Sequence, residues 1–304
     1  MNLLNLIRWK NLLMIALVQL LIKYAFLEPF GAQTSLDIVG MSLLILATIC
    51  IAAAGNIIND IYDVETDFVN KPDSLIVGNT ISEKTAYNLF IIFNMIGVGI
   101  GFYLSNHVNK SAFFSLFVII SALLYVYATY LKRTLLIGNI VISILVSLSI
   151  IIVGIFELLP SINLENQSLQ LYFFKIIFNY ALFAFMINFL REIAKDIEDI
   201  NGDYKAGMNT LPISIGRNRA NNVLIVLTFI TLLLILFYII DVLYNELISV
   251  SYFLIFIVAP LIYILIKTIE AKTKKDYHLI SNTLKLVMFF GMLSLLLYKY
   301  VILN

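Results

Sequence analysis

Asn56, Asp60, Asp63 and Asp67 stand in the run N-I-I-N-D-I-Y-D-V-E-T-D, directly after an apolar stretch. On a helix turning about 100° per residue, Asp63 and Asp67 lie about 60° and 20° from Asp60, with Asn56 about 40° away on the same side. One asparagine and three carboxylates then make a polar stripe that begins where the apolar run ends. Asp196, Asp199 and Asp203 repeat the spacing in R-E-I-A-K-D-I-E-D-I-N-G-D, with Glu192 in the place of Asn56. Carboxylates this close repel one another unless a cation sits among them. Hard oxygen ligands of this kind suit Mg²⁺, which often binds through a few carboxylates together with a substrate phosphate. Two such stripes facing one another would hold a diphosphate through bridging Mg²⁺.

The elements that must position these acids are membrane helices. Of the 304 residues, 61% are hydrophobic, well above the roughly 45–50% of a soluble domain. The apolar runs are continuous, which argues for helices over the alternating strands of a barrel. At about 20 residues per span, nine spans are predicted, near Asn11–Leu27, Leu36–Ile58, Thr85–Leu104, Ser111–Tyr130, Leu135–Phe156, Leu171–Leu190, Ala220–Ile240, Glu246–Ile266 and Leu279–Leu303. The expected architecture is an all-α membrane protein, with residues 1–304 forming a single integral-membrane domain. Two spans lead into the first stripe, two more to Lys132-Arg133, two to the second stripe and two to Lys267–Lys275. This predicts two pseudo-repeated four-helix units plus one further helix. Four spans separate the stripes, an even number, so both stripes are expected on one face.

Lys and Arg crowd the loops of that face, from Arg8 and Lys10 through Lys132, Arg133, Arg191, Lys195, Lys205, Arg217 and Arg219 to Lys275. Lys110, Lys175 and Lys299 are nearly all that falls on the other. The asymmetry places the N-terminus and both stripes in the cytoplasm, in a multi-pass protein of the cell's inner (plasma) membrane. The first run lacks a small-residue cleavage site and reads as a retained span. Lys23 interrupts it and either snorkels to the interface, the commoner fate of a lysine near a helix end, or faces the interior. A net charge of +1 offers no basic surface for nucleic acid. Cys50, the sole cysteine, rules out an internal disulfide and a cysteine metal site, and reads as a small buried apolar residue.

The connections add candidates. After the first stripe, Asn70, Pro72, Asp73 and Gly78 are turn formers, and Ser82 with Glu83 is an expected helix start. Lys71 is placed to meet phosphate oxygens or to be a solvated loop lysine. Arg191 and Lys195 flank the second stripe, to pair with its acids or with substrate phosphate. Beyond it, Gly202, Gly207 and Gly216 are expected to break or bend a helix, and Pro212 to restart or end one. Lys132 and Arg133, set among aromatics, fit positive-inside anchoring. His107 and His278 have no acid or thiol at metal-ligand spacing and read as ordinary loop residues. The 17 Tyr and 22 Phe are mostly packing residues; a few lining a cavity could stabilise a carbocation through their π faces.

Taken together these residues resemble the UbiA-type intramembrane prenyltransferases over almost the whole chain. The likeness rests on N-x-x-N-D-x-x-D-x-x-x-D at Asn56–Asp67, N-K-P at Asn70–Pro72 and G-N-T-I-S at Gly78–Ser82. It rests equally on D-x-x-D-x-x-G-D at Asp196–Asp203, T-L-P at Thr210–Pro212, R-x-x-N at Arg8 and Asn11, and L-K-R…G-N around Leu131–Asn139. The resemblance implies nine helices around a central cavity, with two Asp-rich segments binding Mg²⁺ and a prenyl diphosphate. Asp60, Asp63, Asp67, Asp196, Asp199 and Asp203 fall on the motif aspartates, and Asn56 on the motif asparagine. Asn11, Lys71, Lys132 and Arg191 fall on positions expected near the diphosphate or the acceptor. One departure stands out: where the family often continues N-K-P-x-R-P-I, this chain has Ser74 and Leu75, and loses a cation and a rigid turn.

The expected activity is Mg²⁺-dependent transfer of a prenyl group from a polyprenyl diphosphate donor to a membrane-embedded lipid or aromatic acceptor. R-W-K-N-L-L near the start, with N-K-P-D and T-I-S, is most similar to members that transfer a geranylgeranyl group to a glycerophosphate ether lipid hydroxyl. The alternative acceptor is an aromatic ring, 4-hydroxybenzoate or a dihydroxynaphthoate, as in quinone biosynthesis. A reading from another class is a membrane transporter, which would place its acids nearer the bilayer centre.

Overall fold

A computed structural model describes residues 2–70, 72 and 75–298. Nine helices among them are long and apolar enough to cross a membrane: Trp9–Leu27, Ile38–Tyr62, Glu83–His107, Ser111–Thr129, Ile137–Ser161, Gln167–Lys205, Arg217–Leu243, Leu247–Glu270 and Lys274–Leu297. These are the first to ninth spans below. Each overlaps a predicted span, because twenty apolar residues in hydrocarbon can satisfy their backbone groups only as a helix. Ser82 caps the third span by accepting from the Thr85 amide, with Glu83 in its first turn, as expected. Cys50 is buried.

The sixth span is the long axis of the bundle. Its 39 residues extend about 58 Å at 1.5 Å per residue, nearly twice the hydrocarbon thickness of about 30 Å. The surplus carries the whole second stripe on one unbroken helix. Gly202 therefore does not break the helix. It leaves room for the Asn70 side chain, which a Cβ there would meet at 2.3 Å. The helix ends instead before Gly207, at φ +67°, and Pro212 opens the short helix Leu211–Ile215.

The first stripe departs from the expected single helix. The second span ends at Tyr62, and Asp63 takes φ −95°, ψ −1°, in the sparsely populated bridge region. A separate short helix, Val64–Asn70, carries Asp67. The Asp67 amide still donates to the Asp63 carbonyl at 2.7 Å, so the two acids remain one turn apart across the break.

Lys23 does not snorkel. It lies in a π-helical turn, Leu21–Leu27, and is buried. Its Nζ pairs with Glu157 Oε1 of the fifth span at 2.8 Å and donates to the Leu36 carbonyl. Glu157 Oε2 in turn accepts the Leu36 amide at 3.1 Å. A buried carboxylate and a backbone carbonyl in the interior replace the water that snorkelling would have supplied.

Candidate functional site

A cavity of about 890 Å³ opens between the first, second, fourth, fifth and sixth spans. Asp60, Asp63 and Asp67, from the end of the second span and the short helix after it, and Asp196, Asp199 and Asp203, from the sixth span, all line it. Residues far apart in the chain thus meet at one mouth, as the even span count requires. Asn11, Asn56, Lys132, Arg191 and Lys195 also line it. Lys71 lies outside the described residues. Deeper in, the walls turn apolar, with Ile15, Ile51, Phe117, Leu124, Leu145 and Ile152.

Each stripe is held by side chains from other elements. Arg8 Nη2 donates to Asp60 Oδ1 at 2.6 Å. The Arg8 backbone sits in the left-handed region at φ +54°, between the short helix Asn2–Leu6 and the first span. A residue with a Cβ adopts that conformation at a cost of about 1–2 kcal/mol. Burial works against the Arg8 charge, but the carboxylates of Asp60, Asp63 and Asp67 outweigh it, so the guanidinium titrates above its ordinary range. Lys132, from the turn before the fifth span, donates to Asp63, and Asn59 Nδ2 reaches the same carboxylate at 2.6 Å. Asn56 Nδ2 donates to the Ile7 carbonyl at 2.9 Å, which fixes the N-terminal turn above the stripe.

On the sixth span, Asp196 Oδ2 accepts from Asn139 Nδ2 at 2.8 Å. Arg191 and Lys195 both pair with Glu192, at 3.0 and 2.9 Å. They pair with an acid of their own helix while still facing the cavity. Lys274 of the ninth span approaches Asp199 Oδ1 at 3.7 Å. The two stripes are joined through Asn70. Its Nδ2 donates to the Asp199 carbonyl at 3.0 Å and its Oδ1 accepts the Gly202 amide at 3.1 Å.

Both histidines belong to helices rather than loops. His107 stacks on Tyr103 at the end of the third span, and His278 Nδ1 lies 3.0 Å from Glu198 Oε1.

The donor set can be tested against Mg²⁺. Among the described residues no group of three or more Asp, Glu, His or Cys converges into a ready-made cage. Mg²⁺ does not require one, since it is commonly held by one or two carboxylates, with water and substrate phosphate completing the shell. Carboxylates around an open mouth fit that mode, in which ion and diphosphate arrive together.

Arg8, Asn59, Asn139, Tyr127 and Lys285 were not singled out as site residues by the motif spacing. Arg8 had a signal, the R-x-x-N match, and Lys285 had another, a lone lysine inside an apolar run. Asn59 and Asn139 had theirs in the N-x-x-N-D and G-N matches, whereas Tyr127 is brought in only by the packing of the fourth span against the cavity.

The model of the UbiA prenyltransferase family matches residues 24–300. The chain belongs to the UbiA prenyltransferase family. It is a multi-pass membrane prenyltransferase, which displaces the transporter reading. Among its relatives is digeranylgeranylglyceryl phosphate synthase of Methanosphaera stadtmanae, 31% identical over 258 residues, covering 83% of this chain and 86% of that protein. A solved structure of digeranylgeranylglyceryl phosphate synthase superposes with a TM-score of 0.64 at 24% identity, covering 97% of this chain and 96% of that one. A UbiA homologue from Archaeoglobus fulgidus, solved with GPP and Mg²⁺ bound, superposes with a TM-score of 0.58 at 18% identity, covering 97% of this chain and 99% of that one. The structural likenesses place the chain in the fold of the UbiA proteins.

Proposed function

We propose that this UbiA prenyltransferase transfers a geranylgeranyl group from geranylgeranyl diphosphate to a hydroxyl of a glyceryl phosphate ether lipid. The observation that carries the donor half is the convergence of the two aspartate stripes on one cavity that also has apolar walls. The acceptor half is supported by the relatives, which are named for digeranylgeranylglyceryl phosphate synthesis.

In this reading Asp60, Asp63 and Asp67 on one side, and Asp196, Asp199 and Asp203 on the other, hold Mg²⁺ together with the diphosphate. When bound, the ion supplies charge neutralisation for the departing diphosphate. Arg8 and Lys132 are at hand to move from their carboxylates onto phosphate oxygens. Asn139 orients Asp196, and Asn59 orients Asp63. The allylic C–O bond breaks with its electrons passing to the diphosphate. The apolar wall excludes water from the allylic cation, and Phe117 and Tyr127 are the aromatic residues that line the chamber where it would form. The acceptor oxygen then bonds to the allylic carbon, and its proton passes to released diphosphate or to a carboxylate of the stripes. The crowd of cations at this end supports a cytoplasmic mouth.

The test is purified protein with Mg²⁺, geranylgeranyl diphosphate and a panel of glyceryl phosphate and aromatic acceptors, with products read by mass spectrometry. The expected product is the doubly prenylated glyceryl phosphate. Prenylation of an aromatic ring alone would overturn the acceptor.

A further inference from the structure

Beside the main chamber lies a second cavity of about 190 Å³, between the first, fifth, sixth, seventh, eighth and ninth spans. Its walls are apolar, built from Met14, Val18, Phe183, Ile187, Phe253 and Met288 among others. It shares Asn11, Asn188 and Arg191 with the main chamber, so the two spaces adjoin at that level. Lys285 lines this second cavity from the middle of the ninth span.

Lys285 is poorly served by the protein alone. Its Nζ donates to Asn11 Oδ1 at 2.6 Å, and no acid pairs with it among the described residues. The strongest charged influences on it come from cations, Arg191, Lys10, Arg8 and Lys195. Nearby, Arg191 spends one nitrogen on Glu192, while its Nε is buried with no hydrogen-bond partner. An ammonium within a membrane span that has one amide oxygen and no acid as partner among the described residues is costly, and intramembrane charges of this kind mark ligand sites. The missing component is an anion. The walls specify the rest of the ligand: a molecule with an anionic head at the junction and an apolar tail in the second cavity.

We infer that Lys285, with Asn11 and Arg191, binds the phosphate of the acceptor lipid, whose apolar tail enters the second cavity. This rests on the proposed glyceryl phosphate acceptor. The two substrates then meet head to head. The donor diphosphate is held at the carboxylates, where metal is needed, and the acceptor phosphate at cations that need none. Arg191 precedes Asp196 by five residues of one helix, about 7.5 Å along its axis. A glyceryl hydroxyl attached to a phosphate at Arg191 therefore reaches toward the chamber that holds the allylic carbon. Lys285 becomes a specificity-determining residue, selecting phosphorylated over neutral acceptors.

The experiment compares wild-type protein, Lys285→Met and Lys285→Arg in transfer from geranylgeranyl diphosphate to geranylgeranylglyceryl phosphate and to its dephosphorylated alcohol. The donor KM and the binding of a non-ionisable thio-analogue of the donor are measured alongside. One charged hydrogen bond sets the expected scale: Lys285→Met lowers the preference for the phosphorylated acceptor roughly tenfold to a hundredfold. Donor KM and analogue binding should move less than about twofold, and Lys285→Arg should restore most of the preference. An unchanged preference in Lys285→Met, or an equal loss of donor binding, overturns the assignment. A wild-type protein that does not prenylate the phosphorylated acceptor overturns the proposed function instead, which keeps the two failures distinct.

Discussion

Asn70 and Gly202 lock the two halves of the candidate site together. The Asn70 carboxamide bridges the Asp199 carbonyl and the Gly202 amide, at 3.0 and 3.1 Å, through space that a Cβ on residue 202 would fill. The short helix bearing Asp67 is thereby docked on the helix bearing Asp196, Asp199 and Asp203. The relative position of the two stripes depends on this contact.

Gly202→Ala should therefore push Asn70 out of its seat. At about 1 kcal/mol per lost hydrogen bond, stability falls by roughly 1–2 kcal/mol, and the donor KM rises severalfold with a smaller change in kcat. Asn70→Ala should do the same. Because both act through one contact, the double variant should be little worse than either single one. Steady-state kinetics and thermal unfolding in detergent check this; additive losses would mean that the two residues act separately.

Asp60→Asn and Asp196→Asn should each lower diphosphate release more than about a hundredfold, since each removes a charge from the metal and diphosphate clamp. Thermal unfolding should shift only slightly. Full turnover in the double variant would remove these residues from the metal site.

Chelation of divalent ions should stop transfer and weaken donor binding, and added Mg²⁺ should restore both. The acids are not gathered into a cage, so ion binding without diphosphate should be weak. Calorimetry with Mg²⁺ alone, then with donor present, tests that order; tight binding of Mg²⁺ to the ligand-free protein would contradict it.

Arg8 combines a functional contact with a strained backbone. Arg8→Ala and Arg8→Gly both remove the guanidinium from Asp60 and should raise the donor KM equally. Glycine relieves the left-handed conformation at φ +54°, so Arg8→Gly should be the more stable of the two by about 1–2 kcal/mol. Comparing their unfolding midpoints measures the strain directly; equal midpoints would show none.

Lys23→Met should destabilise the bundle by about 3–5 kcal/mol, because Glu157 is left buried without its partner. Joint replacement with Glu157→Leu should recover much of that loss. Denaturation of the three variants in detergent measures it. A stable Lys23→Met protein would mean that water reaches Glu157.

The bundle and the stripes were legible in the sequence for different reasons. Spans announce themselves because hydrocarbon admits little but apolar residues in a helix. The second stripe kept its predicted geometry because the sixth helix runs unbroken to Lys205. The first did not, because Asp63 closes the second span and lets Val64–Asn70 turn independently. Periodicity describes one helix and is blind to such a stop. It is equally blind to partners: Lys23 looks like a snorkelling residue until Glu157, 134 positions away, is brought beside it. Asn139 and Lys285 gain their meaning in the same way, from spans that the spacing of the acids never mentions.

The counter-ions around the mouth have one further consequence. Arg8 faces Asp60, Lys132 faces Asp63 and Lys274 approaches Asp199. Before any ligand arrives, these carboxylates are already loaded with the protein's own cations, much as an exchange resin is shipped with its ions. Under the proposed function, substrate entry would be a swap, in which Arg8, Lys132 and Lys274 leave the acids for phosphate oxygens while the freed carboxylates would hold Mg²⁺. Little net charge needs to be created or stripped of water at any stage, so the site can rest in a stable folded form and still take up a highly charged ligand.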